Sequence, residues 1–379
     1  MQSENKLLWL ASILLIVIAA GWYFSRAYPP QIKLSTAEET HVNELLTRMK
    51  THCIGRYLID LPGSFTLSTG TEPLEKQQWI ANLKWPDRSY KTYIASKRMY
   101  YPAFEQMLER REKELMETLT TNPVNMPFLK KIWPLPVGMN GVIFERNLDT
   151  SADDAIRTLE AYIYSEGVAI KLQKESINDL APRYKEGRER RGSETNYIPG
   201  DLDKINYLLS RIRGKEADEI PREAGSCIAN AFIAPDKKGD EQEDVAFVFF
   251  SEKMSGLNFV VSTNNFLQEK ESLLERAGEI SNTLSEVNAR IIRKGHLEMN
   301  NMKAEEMLIT GPKADSYYPV YIFNLYINEK RGSNKTPWVN VTLTNESNSS
   351  IPDAGYSENE LIAFWNTISQ TIRMRPGTN

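Results

Sequence analysis

Four features recur along this chain in the same order, and that recurrence restricts the fold to two copies of one plan. A cysteine opens a β-like run at Cys53, in CIGRYLIDLP, and again at Cys227, in CIANAFIAP, 174 residues later. Next comes a stretch with apolar residues at helical spacing. It holds Phe104, Met107, Leu108, Leu115 and Leu119 in the first copy, and Phe266, Leu273, Leu274, Ala277, Ile280 and Leu284 in the second. Within it, Met107-Leu108-Glu109-Arg110 matches Leu273-Leu274-Glu275-Arg276 at an offset of 166. A hairpin of alternating apolar residues follows, Leu159, Ala161 and Ile163 turning through Gly167 to Val168, Ile170 and Leu172. Its counterpart runs Tyr321, Phe323, Leu325 and Ile327, turns through Gly332 and returns on Val339, Val341 and Leu343, an offset of 165. A closing helix from Ile205 to Arg213 places Asn206, Leu208, Ile212 and Arg213 on Asn366, Ile368, Ile372 and Arg373, at 160. Small deletions in a second copy leave such a shrinking series.

A chain of 379 residues, 41% of them hydrophobic, is long enough for two cores. The expected class is α+β: two similar domains, each an antiparallel sheet packed with two main helices, behind one membrane-spanning helix at the amino terminus. The expected divisions are 1–35 for anchor and linker, 36–220 for the first domain and 221–379 for the second. Two charged runs, RYKEGRERRG from Arg183 to Gly192 and DKKGDEQED from Asp236 to Asp244, read as solvated loops.

The anchor is the run LLWLASILLIVIAAGWYF from Leu7 to Phe24, which carries no charge. As a helix rising about 1.5 Å per residue it spans roughly 27 Å, close to the hydrocarbon thickness of a bilayer. Trp9 sits near one end and Trp22 and Tyr23 at the other, where amphipathic rings prefer the headgroup level, and Pro29 and Pro30 stop the helix. The rival reading is a cleaved signal peptide, with Lys6 ahead of the apolar core and Ala19, Ala20 and Gly21 at the cleavage point. The continuation of the apolar run through Phe24 favours the anchor. In a bacterium either reading places the rest of the chain in the periplasm, a compartment that permits a disulfide.

Function classes are excluded mainly by what the chain lacks. Lys+Arg number 46 against 50 Asp+Glu, a net charge of −4, so no overall basic field exists to hold a nucleic acid. No G-x-S-x-G, H-E-x-x-H, C-x-x-C, G-x-x-x-x-G-K or G-x-G-x-x-G occurs. His52 and Cys53 adjoin, yet neighbours on a strand point to opposite faces, so His52 is out of reach of the Cys53 thiol. Only the distant His296 is left to fold beside it. The acid pairs Asp153-Asp154 and Glu305-Glu306 read as helix-start or solvated groups rather than as an acid and a base. Asp60, just before Leu61-Pro62 where a strand ends, reads as a turn cap. No catalytic residue, metal or cofactor is expected, and the chain reads as a binding protein.

Cys53 and Cys227 hold equivalent places in the two copies; they either remain buried as small hydrophobes or pair with each other. Together with Asp60 they are the candidate structural residues. Aromatics at the polar flanks of elements, among them Trp79, Trp85, Tyr90, Tyr100, Tyr101 and Trp133, suit interface anchors as well as rim packing. Tyr317, Tyr318 and Trp338, flanking the second hairpin, are the candidate partner-binding residues.

The box Cys53-Ile54-Gly55-Arg56-Tyr57-Leu58-Ile59-Asp60-Leu61-Pro62, behind a membrane-targeting segment and ahead of a second domain that reopens on a cysteine, resembles a known family. It is similar to the immunity proteins paired with type VI secretion phospholipase effectors of the fourth lipase class. Ala229 stands where a glycine would make the second box like the first. The resemblance implies a periplasmic inhibitor without catalysis of its own, whose partners are the cognate lipase and, through the amino-terminal helix, the inner membrane. It further implies that both domains grip the lipase and hold its lid closed. A membrane-anchored envelope assembly or structural protein without enzymatic activity is the competing reading.

Overall fold

The computed structural model describes residues 28–378 except 69–71, 78, 86–89, 252, 255, 313–318 and 346–354. The apolar run from Leu7 to Phe24 therefore lies outside the described residues, as do Tyr317 and Tyr318. Among the described residues no helix is long and apolar enough to cross a membrane.

Helix α1 (Thr36–Leu45) comes first, started by a capping box in which the Ser35 side chain accepts from Glu38 N–H and Glu38 reaches back. The first copy then opens with the hairpin β1 (Lys50–Ile54) and β2 (Tyr57–Leu61), followed by β3 (Phe65–Leu67), β4 (Ala81–Lys84) and β5 (Thr92–Arg98). Helix α2 (Tyr101–Glu117) leads into a four-strand meander: β6 (Leu129–Pro134), β7 (Asn140–Asn147), β8 (Ile156–Ser165) and β9 (Val168–Ile177). Helices α3 (Lys185–Arg191) and α4 (Ile198–Leu209) and the short β10 (Ile212–Gly214) close the copy. The tight turn between β8 and β9 passes through Glu166 and Gly167, at φ +50° and +77°. Such turns match the twist of the strands they join.

The second copy repeats this order. Its hairpin is β11 (Ser226–Ile228) and β12 (Ala231–Ile233), then β13 (Gln242–Ser251), β14 (Leu257–Asn264) and helix α5 (Ala277–Glu286). The meander is β15 (Arg290–Met299), β16 (Met302–Gly311), β17 (Val320–Ile327) and β18 (Trp338–Asn345), and α6 (Glu358–Ser369) and β19 (Arg373–Met374) finish it. Helix α6 carries its own capping box, Ser357 with Glu360.

The expectation of one sheet per copy is corrected by the strand order. Twelve strands form a continuous path, β15-β16-β17-β18-β14-β13-β4-β5-β9-β8-β7-β6, and β3 adds to β13 as the thirteenth. From the centre outward both halves have the same sequence of strands. They join where Gln242–Val245 of β13 pairs antiparallel with Ala81–Lys84 of β4. Each strand would otherwise present unpaired backbone groups at an open edge, and pairing removes both edges together.

The copies also exchange their last strands. β10 of the first pairs with β12 of the second, and β19 of the second pairs with β2 of the first. One face of the large sheet packs Ile205, Leu208 and Leu209 of α4 and Leu361, Phe364, Trp365 and Ile368 of α6 against Ile143, Ala161, Leu325 and Val341. On the other face Phe104, Met107 and Leu115 of α2 cover Phe144 and Tyr162, and Ala277 of α5 covers Met307. Alternation along each strand separates the two cores.

Three local expectations are corrected. The helical spacing from Phe266 to Leu284 yields α-helix only over Ala277–Glu286, because the backbone N–H groups of Leu273 and Leu274 are taken by the carboxylates of Glu329 and Glu305, at 2.7 and 2.8 Å. The closing helix ends at Leu209, and Ile212 and Arg213 belong to β10, drawn into pairing with Ile233 and Phe232. The run from Arg183 to Gly192 is a short 3-10 turn, Pro182–Tyr184, leading into helix α3 rather than a loop, tied down by Arg183 to Asp154 and Arg191 to Asp179.

Candidate functional site

Where the two copies meet, the hairpins that carry the cysteines face each other across the pseudo-twofold axis. Cys53 and Cys227 form a disulfide with Cα atoms 5.7 Å apart. Beside it Gly55 and Cys227 exchange two backbone hydrogen bonds of 2.8 Å, so the hairpins are also joined by main chain. Next to this junction lies a cleft of about 810 Å³. Phe65, Phe247 and Phe249 line it with aromatic surface, β1 supplies Lys50, Thr51 and His52, and the connection between the copies supplies Lys215, Asp218 and Ile220.

The cleft's polar groups are held as follows. His52 stacks edge-on against Phe249, ring centroids 4.8 Å apart, and its buried Nε2 has no partner among the described residues. Burial, reinforced by the charges of Lys50 and Lys215, pushes its pKa down to about 4. At neutral pH it is an uncharged imidazole. Burial likewise pushes the Lys215 ammonium down, and its Nζ donates to the Glu216 carbonyl at 3.1 Å. The Cys53 sulfur is held in the disulfide and offers no thiolate. His296 does not meet it: it is exposed on β15, 3.7 Å from Glu305.

The other candidates are ion-pair members. Asp60 is not a turn cap; both its oxygens accept from Arg373, at 3.0 and 3.1 Å. Asp154 accepts from the Tyr184 hydroxyl at 2.6 Å and pairs with Arg183 and Lys130. Glu306 is buried and accepts from the Tyr28 hydroxyl at 2.6 Å and from Trp365 Nε1 at 2.9 Å, and it forms an ion pair with Arg293 Nε 2.8 Å away. Glu305 points to the opposite face. Neither acid pair converges on a space where a substrate would sit. Trp338, half-buried, packs on Tyr326 at 5.9 Å with its indole nitrogen buried and unpartnered among the described residues.

Sequence reasoning missed Glu160, which organises the first copy as Glu306 does the second. Arg111 Nε and Nη2 reach its two oxygens at 2.7 and 3.0 Å, Arg146 Nε donates at 2.7 Å and the Tyr162 hydroxyl at 2.6 Å. Burial alone would raise this carboxyl, but the Arg111 hydrogen bonds and the charges of Arg146 and Arg111 hold it well below the usual carboxylate range. The available signal was its place between Leu159 and Ala161 and just before Tyr162 and Ile163 in a strand.

Two family models match the chain in succession. That of the Tle cognate immunity protein 4 N-terminal domain matches residues 50–215, and that of the Tle cognate immunity protein 4 C-terminal domain matches residues 219–377. Among solved structures, the apo immunity protein TplEi of the T6SS from Pseudomonas aeruginosa is similar with a TM-score of 0.63 at 22% identity, over 87% of this chain and 98% of that chain. The crystal structure of a Tle4-Tli4 complex gives 0.63 at 23% identity, over 87% and 99%. TplEi complexed with "L" peptide gives 0.60 at 22%, over 87% and 99%. At this identity the likeness is one of fold. No curated protein sequence matches the chain.

Proposed function

The chain belongs to the Tle cognate immunity protein 4 family, and from that premise we propose that it is an immunity protein that binds and inhibits a type VI secreted antibacterial phospholipase. The single observation that carries the reading is the match of both family domains to successive stretches of the chain, 50–215 and 219–377. The cleft between the copies supports it, since its buried imidazole and aromatic lining present binding surface without an activated nucleophile.

The mode of inhibition is a grip by both copies that holds the lipase lid closed. A lipase with open and closed states is silenced by a protein that binds the closed one better. Moving it from 99% open to 99% closed takes roughly 10⁴-fold tighter binding to the closed state. Two copies joined through one sheet and a disulfide present two fixed contact surfaces, which suits an interface of about 1,600 Å² or more. The run from Leu7 to Phe24 anchors the chain in the inner membrane, facing the periplasm, and so concentrates the inhibitor beside the lipid under attack. Tyr317, Tyr318 and Trp338 are the proposed contacts on the second copy.

Purified chain mixed with the lipase encoded beside its gene should abolish phospholipid hydrolysis at an equimolar ratio. Undiminished hydrolysis by a lipase mixed with folded chain would overturn the assignment.

A further inference from the structure

On the outer face of the first copy's sheet, the segment ahead of β4 lies over β5 and β9 and leaves a pocket of about 500 Å³ lined by Glu75, Lys76, Gln77, Trp79, Lys171 and Gln173. Lys171 is only 3% exposed. Its Nζ donates to the Glu75 carbonyl at 2.6 Å and lies 4.8 Å from the centre of the Trp79 ring. An ammonium carries three donors, and a buried one calls for a counter-anion.

Among the described residues no carboxylate accepts a hydrogen bond from the Lys171 ammonium; the charges of Glu160 and Glu75 act on it only through space. The buried carboxylate nearby, Glu160, already accepts from Arg111, Arg146 and Tyr162 and makes no hydrogen bond to Lys171. Burial pushes the Lys171 ammonium down to about 8 despite the charge of Glu160. Gln77 adds an independent sign: it is 6% exposed, and neither its amide nitrogen nor its amide oxygen has a partner among the described residues. Buried primary amides are nearly always bonded. Trp79, 36% exposed, forms the mouth, and Tyr93 backs it with ring centroids 5.4 Å apart.

We propose that this pocket receives the carboxylate of an aspartate or glutamate side chain presented by the lipase, one oxygen on the Lys171 ammonium and the other on the Gln77 amide nitrogen, with the acid's methylene on the Trp79 ring. The proposal rests on the reading of the chain as a lipase inhibitor. It adds a specific charged anchor on the first copy, with Lys171 on β9, three strands along the sheet from β13.

The test is calorimetric titration of the full chain, in detergent, with the lipase encoded beside its gene, using wild type, Lys171→Met and Trp79→Ala. Lys171→Met keeps the side-chain length, removes the charge and should weaken binding at least about tenfold, as loss of a charge-assisted hydrogen bond does. Trp79→Ala, at the rim, should weaken it about threefold or more while leaving the melting temperature near wild type. If Lys171→Met does not fold, Trp79→Ala decides alone. Unchanged affinity in a folded variant overturns the pocket and leaves the inhibitor reading intact, whereas absence of binding by wild type sinks that reading itself. In a second arm, sodium acetate is compared with sodium chloride at equal ionic strength. A melting temperature raised by acetate in wild type but not in Lys171→Met, together with lipase affinity insensitive to Lys171, assigns the pocket to a small free carboxylate and overturns the proposal.

Discussion

Arg373 holds Asp60 across 313 residues of sequence, its two terminal nitrogens 3.0 and 3.1 Å from the two carboxylate oxygens. The chain's last strand thereby completes the hairpin made near its start, and the backbone N–H of Asp60 also donates to Thr371 Oγ1 at 2.9 Å. Both charged groups are partly exposed, 26% and 34%, which limits the Coulomb gain. A bidentate geometry at a strand exchange should still couple them by about 1 kcal/mol. A double-mutant cycle on Asp60→Asn and Arg373→Met, read by urea unfolding, measures that coupling. A value near zero would reduce the pair to a passive surface contact.

The disulfide acts on the same junction from the other side. It closes a loop with a sequence separation of 174, so on the chain-entropy account its removal costs about 5 kcal/mol. Cys53→Ala with Cys227→Ala should lower the melting temperature markedly. The sheet and the Gly55–Cys227 backbone pairing remain, so the variant should stay folded at low temperature with an unchanged far-ultraviolet circular dichroism spectrum.

His52 makes the cleft sensitive to acid. Its pKa is about 4 in the folded chain against an ordinary value of 6.5, chiefly through burial. The unfolded chain therefore binds the proton more readily, and stability that is fully present above pH 6.5 is lost as pH falls toward 4. The amount is roughly 3 kcal/mol across that window. His52→Gln removes the titrating group, so the difference in unfolding free energy between wild type and variant should shrink between pH 7 and pH 4.5. A constant difference would show that His52 takes up its proton in the folded chain as easily as in the unfolded one.

How much of this was legible in the sequence depends on the range of each interaction. The doubling was visible because cysteine boxes, helix periodicity and hairpins are local patterns, and each recurs. The fusion of the two sheets at β4 and β13 was not, since an edge strand carries no mark of its partner. Asp60 was read as a cap because its only sequence neighbours were Leu61 and Pro62, while Arg373 became its partner through the exchange of end strands. The run from Arg183 to Gly192 looked solvated because charge density alone does not reveal that Asp154 and Asp179 await its arginines. Lys171 and Gln77 had no signal at all: a lysine in a strand reads as outward until α2 and the segment before β4 close over it.

The amino-terminal strap offers the last prediction. Tyr28 lies flat where Gly295 has no side chain, and a Cβ there would come within 2.4 Å of its ring. The Tyr28 hydroxyl donates to Glu306, and further on α1 is held to α6 by Ser357 donating to Glu38 at 2.8 Å and by His41 and Glu360 at 2.7 Å. The segment from Tyr28 to Leu45 is thus docked on the second copy although it precedes the first. Gly295→Ala should expel the Tyr28 ring, leave Glu306 one donor short and cost about 1–3 kcal/mol. Hydrogen exchange localises the effect: amides of β15 around residue 295 and of residues 31–46 should lose protection, while those of β7, β8 and β9 keep theirs. Loss of protection spread evenly over both copies would mean that the strap is a part of the global core rather than a separately docked element.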